Sequence, residues 1–463
     1  MLIHMALTTG PANRDLGMPT PRVPIEIVLR ILDFASAPSL DLKLLRSCSL
    51  VCKAWSTRAQ KMLFHSVSIS THREYTALVG ALEPLALGGD TGTKVLHKSR
   101  PVKPSLASLT GMPKFLPTFD FTNSGTLRGS VIELNVIVDF NQSDCLTFAK
   151  LSHVISLCPN LRKIGISVFG MQPQGPDIEW EADQWRMKRF TPPISGEVLE
   201  KLRTSPNASR ISELRLHDWS DDSRILIQLL GVWPYITSLK VAGKLPTSHS
   251  ADFTFPAILP EAAPCALETL SLNCNTGTEA SVDFVKWLLA RSQQTLRRLE
   301  FLKEPSAKLL EDIFAHSMFS LDSVSLPSCT CPVIGQAVRD RLGPTFAQIS
   351  GGNGEVDGAI PSLQVKGLKE VFVEDPSTPF KFLASVVQSG AVQKFGFGVD
   401  SRTDLSSLAR VIKARTGLKR VAVWLCNGGE RNFGLGNLRV ACAIQGIELE
   451  ETREIREFRA QKD

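Results

Sequence analysis

The residues of this chain whose types could do chemistry are its ten cysteines, its eight histidines and one glycine-rich run. Cys48 and Cys52 stand four apart inside an apolar helical pattern, and no second pair follows at the spacing a zinc site needs. Cys329 and Cys331, in "SCTC", fall on an expected loop without a histidine nearby. Most other thiols lie in apolar runs, such as Cys158 in "ISLCPNLRK" and Cys442 in "VACAIQG". A free cysteine in such a run behaves as a small buried hydrophobe, so no metal is expected. The histidines are dispersed, and each reads as solvated or packed. The run from Asn427 to Asn437, "NGGERNFGLGN", does not form a Gly-x-Gly-x-x-Gly turn leading into a helix with a ribose-binding acid beyond it. There is no Gly-x-Ser-x-Gly elbow, no phosphate loop ending in Gly-Lys-Ser/Thr and no His-Glu-x-x-His. Neither a cofactor nor a catalytic residue is expected, and the chemistry left is that of contact between apolar and aromatic surfaces.

The elements that would present such surfaces begin near the N-terminus. Residues 1–20 carry many breakers and no apolar period, and read as a disordered lead-in. From Val23 the apolar residues take helical spacing. Pro24 suits a first helical turn, and Ile25, Leu29 and Leu32 share a stripe that Val28 and Ile31 widen. "ASAPS" interrupts it, and Asp41 is a good N-cap for a second helix carrying Leu42, Leu45 and Cys48. A third helix is predicted over Lys53 to Leu63, with Trp55, Ala59 and Met62 at spacings of four and three. Three short helices make a marginal unit, which is expected to lean on a partner or on the domain that follows.

This stretch, "VPIEIVLRILDFA…DLKLLRSCSLVCKAWSTRAQKMLFHSVSI", resembles the F-box. The matching positions are Pro24, Ile25, Glu26, Ile27, Ile31, Leu32, Leu44, Leu50, Val51, Cys52 and Trp55, with Val23 where leucine is commoner. The continuation "AQKMLFHSVSI" is similar to fungal F-box proteins, in which a strand follows the box. The resemblance covers about a tenth of the chain and implies docking on a Skp-type adaptor, with cullin and RING subunits supplying ubiquitin transfer. It divides Pro24, Ile25, Leu29, Ile31, Leu32, Leu44, Leu45, Val51 and Trp55 between that interface and the box's own core, a division the sequence leaves open.

After the box-like segment at residues 21–65, residues 66–129 read as a strand, a helix and a linker rich in Gly, Pro, Ser and Thr. Residues 130–450 repeat a short pattern: apolar, two residues, apolar, one residue, apolar. The copies are Val131/Leu134/Val136, Leu161/Ile164/Ile166, Ile211/Leu214/Leu216, Ile236/Leu239/Val241 and Leu267/Leu270/Leu272. Leu296/Leu299/Phe301, Leu321/Val324/Leu326, Leu368/Val371/Val373, Val392/Phe395/Phe397 and Leu418/Val421/Val423 complete the series. The starts are separated by 30, 50, 25, 31, 29, 25, 47, 24 and 26 residues, so the steps of 50 and 47 are expected to span an unrecognised or interrupted copy. Each triplet reads as a strand with one buried face. Stretches such as "DCLTFAKLSHVISLCPN", "SRILIQLLGVWPY", "SVDFVKWLLARSQQ" and "DLSSLARVIKARTG" read as helices behind it.

The expected fold class is therefore α/β: a small helical box, then a leucine-rich-repeat-like solenoid of alternating strands and helices, then a charged tail at 451–463. The copies are degenerate, with Asn273 and Cys274 the nearest approach to the polar position of that motif. A doubly wound α/β sheet is the alternative, but it would not demand ten similar triplets. Two interruptions follow Phe169 and Pro327, and Trp180 and Trp185 in the first are candidate contacts for a target protein, or else pack beside the solenoid.

Charge and composition close off other classes. The net charge of +6 is spread along the chain, so no nucleic-acid partner is expected. No apolar run reaches the ~18 residues of a membrane span, and no secretory signal is legible. These point to a reducing compartment, cytoplasm or nucleus, in which the sequons at Asn141 and Asn207 are chance matches. The expected role is a substrate adaptor of a ubiquitin ligase; the alternatives are a scaffold whose box no longer recruits a ligase, and an α/β enzyme.

Overall fold

The computed structural model describes residues 30, 42–50, 53–83, 127–171, 191–217, 224–243, 262–273, 282–316, 321–329, 331–342, 367–414 and 416–452. The described residues up to His65 belong to one compact unit, and those from Ser66 onward to a second.

In the first unit, α1 (Leu42–Cys48) and α2 (Lys53–Leu63) fold on one another. Residues three and four apart on a helix share a face. Leu45 and Cys48 therefore meet Ala59, and Trp55, Met62 and Leu63 pack against these three. α1 stops within a turn, where the Ser49 hydroxyl donates to the Arg46 carbonyl at 2.6 Å and Ser49 N to that of Leu45 at 2.9 Å. Of the expected first helix, Arg30 is helical and exposed, and the rest lies outside the described residues.

The second unit is built on one twelve-stranded sheet, parallel throughout, with its strands in strict chain order. β1 (Ser66–Ile69) leads into α3 (His72–Leu82), then come β2 (Glu133–Asp139), α4 (Phe148–Leu157), β3 (Lys163–Phe169), α5 (Gly196–Thr204), β4 (Glu213–Leu216), α6 (Arg224–Val232) and β5 (Ser238–Val241). The chain continues through β6 (Thr269–Asn273), α7 (Val282–Leu289), β7 (Arg298–Lys303), α8 (Ala307–His316), β8 (Ser323–Leu326), α9 (Pro332–Arg339) and β9 (Glu370–Val373). It ends with α10 (Phe380–Gln388), β10 (Lys394–Val399), α11 (Leu405–Ala414), β11 (Arg420–Leu425), α12 (Gly434–Gln445) and β12 (Glu448–Thr452). A doubly wound sheet reverses its strand order at a switch point, and this sheet has none. Sequential parallel strands are what stacked strand–helix repeats produce.

The ten apolar triplets are the register of the sheet. Leu134, Ile164, Leu214, Leu239, Leu270, Leu299, Val324, Val371, Phe395 and Val421 pair neighbour to neighbour across ten strands, and all are buried. A one-residue slip would turn every one of them to the other face, so the register is strongly specified. The first residue of each triplet, from Val131 to Leu418, is buried just ahead of its strand. A backbone device repeats there too. Arg162 N and Lys163 N share the Ile132 carbonyl, Ser212 N and Glu213 N share that of Arg162, and so on to Lys419 N and Arg420 N on Gln393.

Two features of the array differ from the sequence expectation. Both long steps are single enlarged repeats, because β3 pairs directly with β4 and β8 with β9. No strand is skipped between them; the extra residues are insertions within one turn of the array. The array also starts earlier and ends later than residues 130–450. Val67 and Ile69 of β1 pair with Leu134 and Val136, and β12 runs to Thr452. The residues expected as tail from 453 onward lie outside the described residues.

Capping explains where two helices start. Thr71 Oγ1 accepts from Glu74 N, and the Glu74 carboxylate accepts from Ser70 N at 2.8 Å and from Thr71 N, a reciprocal box at the head of α3. Hydrogen bonds from the Ser70 backbone and hydroxyl hold the Glu74 carboxyl below its usual range. At the head of α4 Thr147 Oγ1 accepts from Lys150 N at 3.3 Å, a one-way cap.

Irregular polar contacts replace the missing repeat asparagine. Asn207 is fully buried and donates to the carbonyls of Ile155 and Cys158 at the end of α4. Asn273, the position nearest to the motif, donates to Ala242 of the preceding repeat. Thr295 donates to Leu267, Ser389 to Leu342 and Thr416 to Val387, while Asn432 donates to both Asp400 and Thr403. Each ties a side chain of one repeat to a backbone carbonyl of the repeat before it, and the Ile155, Cys158 and Thr403 carbonyls accept a backbone N–H as well.

Candidate functional site

The thiols sit where an apolar role puts them. Cys48, Cys158, Cys265, Cys329 and Cys442 are buried. Burial pushes the Cys158 and Cys329 thiols up to about 12, and those of Cys265 and Cys442 up to about 11. A reactive thiol requires the opposite shift. Cys329 lies in the loop ahead of α9, as expected, but buried, with its Sγ against Gly335 of that helix, so the second interruption opens on the repeat's own helix. Among the described residues no group of three or more His, Cys, Asp or Glu could hold a metal.

The glycine-rich run does structural work. Asn427 and Gly428 take left-handed backbone conformations in the turn after β11. At Gly434 a Cβ would stand 2.7 Å from the Leu405 Cβ and 2.8 Å from Ser406 N, so a residue without one lets α12 press against α11.

One hydrogen-bonded chain has the look of a catalytic relay. Tyr75 on α3 bonds His153 Nδ1 on α4 at 2.8 Å, and His153 Nε2 lies 3.5 Å from Glu83. Desolvation and the Glu83 charge both raise the Tyr75 phenol, which therefore stays protonated at neutral pH. His153 and Glu83 are both more than two-fifths exposed. An activated nucleophile has a lowered pKa and a site that excludes water; this chain ties two successive helices together.

Two surfaces remain. The first is on the helical pair, where the candidate docking residues divide. Leu45 is 0% exposed and falls on the core side of that division rather than among the docking residues, and Trp55 packs onto that core. Leu44 is 41% exposed and Leu50 67%, although both are apolar. Pro24, Ile25, Leu29, Ile31, Leu32 and Val51 lie outside the described residues.

The second surface is the sheet face opposite the buried triplets. At its start Arg215 bonds Glu213 on its own strand and reaches Glu133 two strands away at 3.3 Å, while Lys163 meets Glu213 at 3.1 Å. The gap is bridged at Gly165 of β3, whose missing side chain leaves the space into which Asn135 and His217 also lean. Burial works to raise the Glu213 carboxyl, but Arg215 and Lys163 outweigh it and hold it below the usual range. In the middle, the buried hydroxyls of Ser271 and Ser325 flank Glu300 in register and have no hydrogen-bond partner among the described residues. Toward the end, Phe372 and Ala422 pack together across Gly396, with the Lys394 ammonium 5.9 Å from the ring. Sequence patterning missed this face because its residues follow no period of their own. Trp180 and Trp185 lie outside the described residues.

No protein-family model and no curated protein matches the sequence. Among the described residues no helix is long and apolar enough to cross a membrane.

Proposed function

We propose that this chain is the substrate-recognition subunit of a Skp–cullin–F-box type ubiquitin ligase. Residues 21–65 are the F-box that docks on the Skp-type adaptor, and through it on cullin and RING subunits. The strand–helix array is a leucine-rich-repeat-like solenoid that holds a target protein. Such a subunit works in the cytoplasm or nucleus and needs no catalytic residue of its own.

The observation that carries the reading is the match of eleven motif positions in register between Pro24 and Trp55. The small helical pair supports it: with Leu45, Cys48 and Ala59 as its buried core, it leaves Leu44 and Leu50 outward. A large apolar side chain that stays exposed on a unit this small suits a protein–protein contact. Leu44 and Leu50 therefore join the docking set, and Leu45 and Trp55 the box's own core. For the target, the sheet face offers its start, where Glu133, Lys163, Glu213 and Arg215 are partly exposed.

The test is capture of the full chain by a purified Skp-type adaptor. Leu44→Glu with Leu50→Glu is expected to abolish capture while helix content stays unchanged, and Ile31→Glu with Leu32→Glu to do the same. Capture that survives both double variants refutes the docking surface. A folded wild-type chain that captures no adaptor leaves the scaffold reading.

A further inference from the structure

The residue just ahead of each strand and the first residue of the strand together line the edge of the sheet at which the strands begin. From β2 to β6 these positions are Ile132/Glu133, Arg162/Lys163, Ser212/Glu213, Thr237/Ser238 and Glu268/Thr269, with two cations and three carboxylates. From β7 to β11 they are Arg297/Arg298, Asp322/Ser323, Lys369/Glu370, Gln393/Lys394 and Lys419/Arg420, with six cations and two carboxylates. The cationic surplus is confined to the second half of the array. On the reading that the array holds a target protein, we infer that this half of the edge binds an extended acidic segment of that target.

The cations stand in one register. Asp322 N bonds the Arg297 carbonyl, Lys369 N that of Asp322, Gln393 N that of Lys369 and Lys419 N that of Gln393. Neighbouring strands are about 4.8 Å apart, so Arg297, Lys369 and Lys419, on alternate strands, follow one another at about 10 Å. Their side chains reach water: Arg297 is 48% exposed and Lys369 47%, and Arg298 and Lys419 are exposed as well. Asp322 lies between Arg297 and Lys369, at 3.9 and 3.4 Å, and one carboxylate shared by two cations leaves charge over. Lys394 is buried and Glu448 holds Arg420 at 2.9 Å, so neither adds to that surplus. The helices do not ask for these cations. A helix C-terminus attracts them only within its last turn, and α7 ends at Leu289 and α11 at Ala414.

Charge and spacing together select the occupant. A polyproline-type segment advances about 3.1 Å per residue with three residues per turn, so every third side chain faces the same way at intervals of about 9 Å. Carboxylates at every third position then meet Arg297, Lys369 and Lys419 in turn as the segment crosses the strands. In a β-strand, with its period of two, every other one of those carboxylates would point away. A single nucleic-acid strand suits the edge less well. It is held by bases stacked on aromatic side chains, and none of the ten edge residues from β7 to β11 is aromatic.

The experiment is fluorescence anisotropy of the full chain with a labelled peptide of about twelve residues made of Glu-Pro-Pro repeats. A peptide of the same composition with its glutamates in one block is the comparison. The repeat peptide is expected to bind with a Kd of roughly 10–100 μM and to lose most of that affinity when salt rises from about 0.05 to 0.5 M. Arg297→Glu with Lys419→Glu should weaken it roughly tenfold or more at unchanged helix content, because two modest attractions become repulsions. Arg162→Glu, at the same position ahead of β3, should bind as the wild type does. No binding of the repeat peptide overturns the proposal, as does equal binding of the block peptide or indifference to the double variant. Tighter binding of a single-stranded oligonucleotide of equal charge also overturns it, and assigns the edge to nucleic acid. Adaptor capture by the same preparation separates the two readings. A chain that captures the adaptor and ignores the peptide loses this proposal alone, and one that binds the peptide without the adaptor keeps it and loses the ligase reading.

Discussion

Asn207 gives the sharpest test of how the array is held together. Its side chain is fully buried, and its amide donates to the Ile155 and Cys158 carbonyls, the second at 2.7 Å. These are end-of-helix carbonyls of α4, each of which also accepts one backbone N–H, from Cys158 and from Leu161 at 3.1 Å. Asn207→Leu keeps the volume and removes both donors. A net hydrogen bond contributes about 1 kcal/mol, and each carbonyl keeps its backbone donor when the amide is removed. Two lost bonds put the loss at about 2 kcal/mol, or a fall in Tm of about 2–4 °C for an array this large. Asn207→Asp should be worse, since it offers no N–H and turns a charge toward two carbonyl oxygens. The assay is thermal unfolding followed by circular dichroism, with Asn141→Ala as the exposed control. A Tm for Asn207→Leu within about 1 °C of wild type would refute the reasoning that side chains take the place of the repeat asparagine.

Other outcomes follow from the same structure. Gly434→Val should separate α11 from α12 and lower stability by about 1–3 kcal/mol, read by denaturant unfolding; no change would mean the helices are not in close contact there. Glu213 has a carboxyl held below its usual value, so its contribution is present at neutral pH and is lost as pH falls below 4.5 toward the folded value. Glu213→Gln should flatten the acid limb of a stability–pH curve and cost about 1 kcal/mol at pH 7, whereas an unchanged limb assigns the acid sensitivity to other carboxylates. Thiol labelling at pH 8 should modify Cys145 and Cys331 well before Cys158, Cys265, Cys329 and Cys442, all four of which are buried; rapid labelling of Cys329 in the folded chain would contradict its place beneath α9.

The sequence by itself determined the frame of the array. Side chains alternate across a strand with a period of two, so an apolar triplet ending in apolar-x-apolar states which face is buried, and ten such triplets became ten neighbouring positions in one register. The helix stretches were equally legible, because a stripe at three and four is what a helix against a sheet needs. So were the second and third helices of the box-like segment, down to Lys53–Leu63. Length of step was not a guide. An insertion adds residues without adding a strand, and only the pairing of β3 with β4 and of β8 with β9 showed that nothing was skipped.

Tertiary structure alone decided the surfaces. Leu44 and Leu45 are adjacent and chemically identical, yet one faces outward and the other is core, because burial depends on where α2 lies and not on residue type. Glu133 and Arg215 are 82 residues apart and meet because β3 offers Gly165 between them. Asn207 reads as a glycosylation sequon in the chain and is a buried cap in the fold. Val440 and Ile444 of α12 are as apolar as Leu438 and Ala441 of the same helix, yet the first two are exposed and the others buried. A periodic sequence specifies what repeats; the sites arise where the repetition is broken, and those depend on neighbours that only the folded chain supplies.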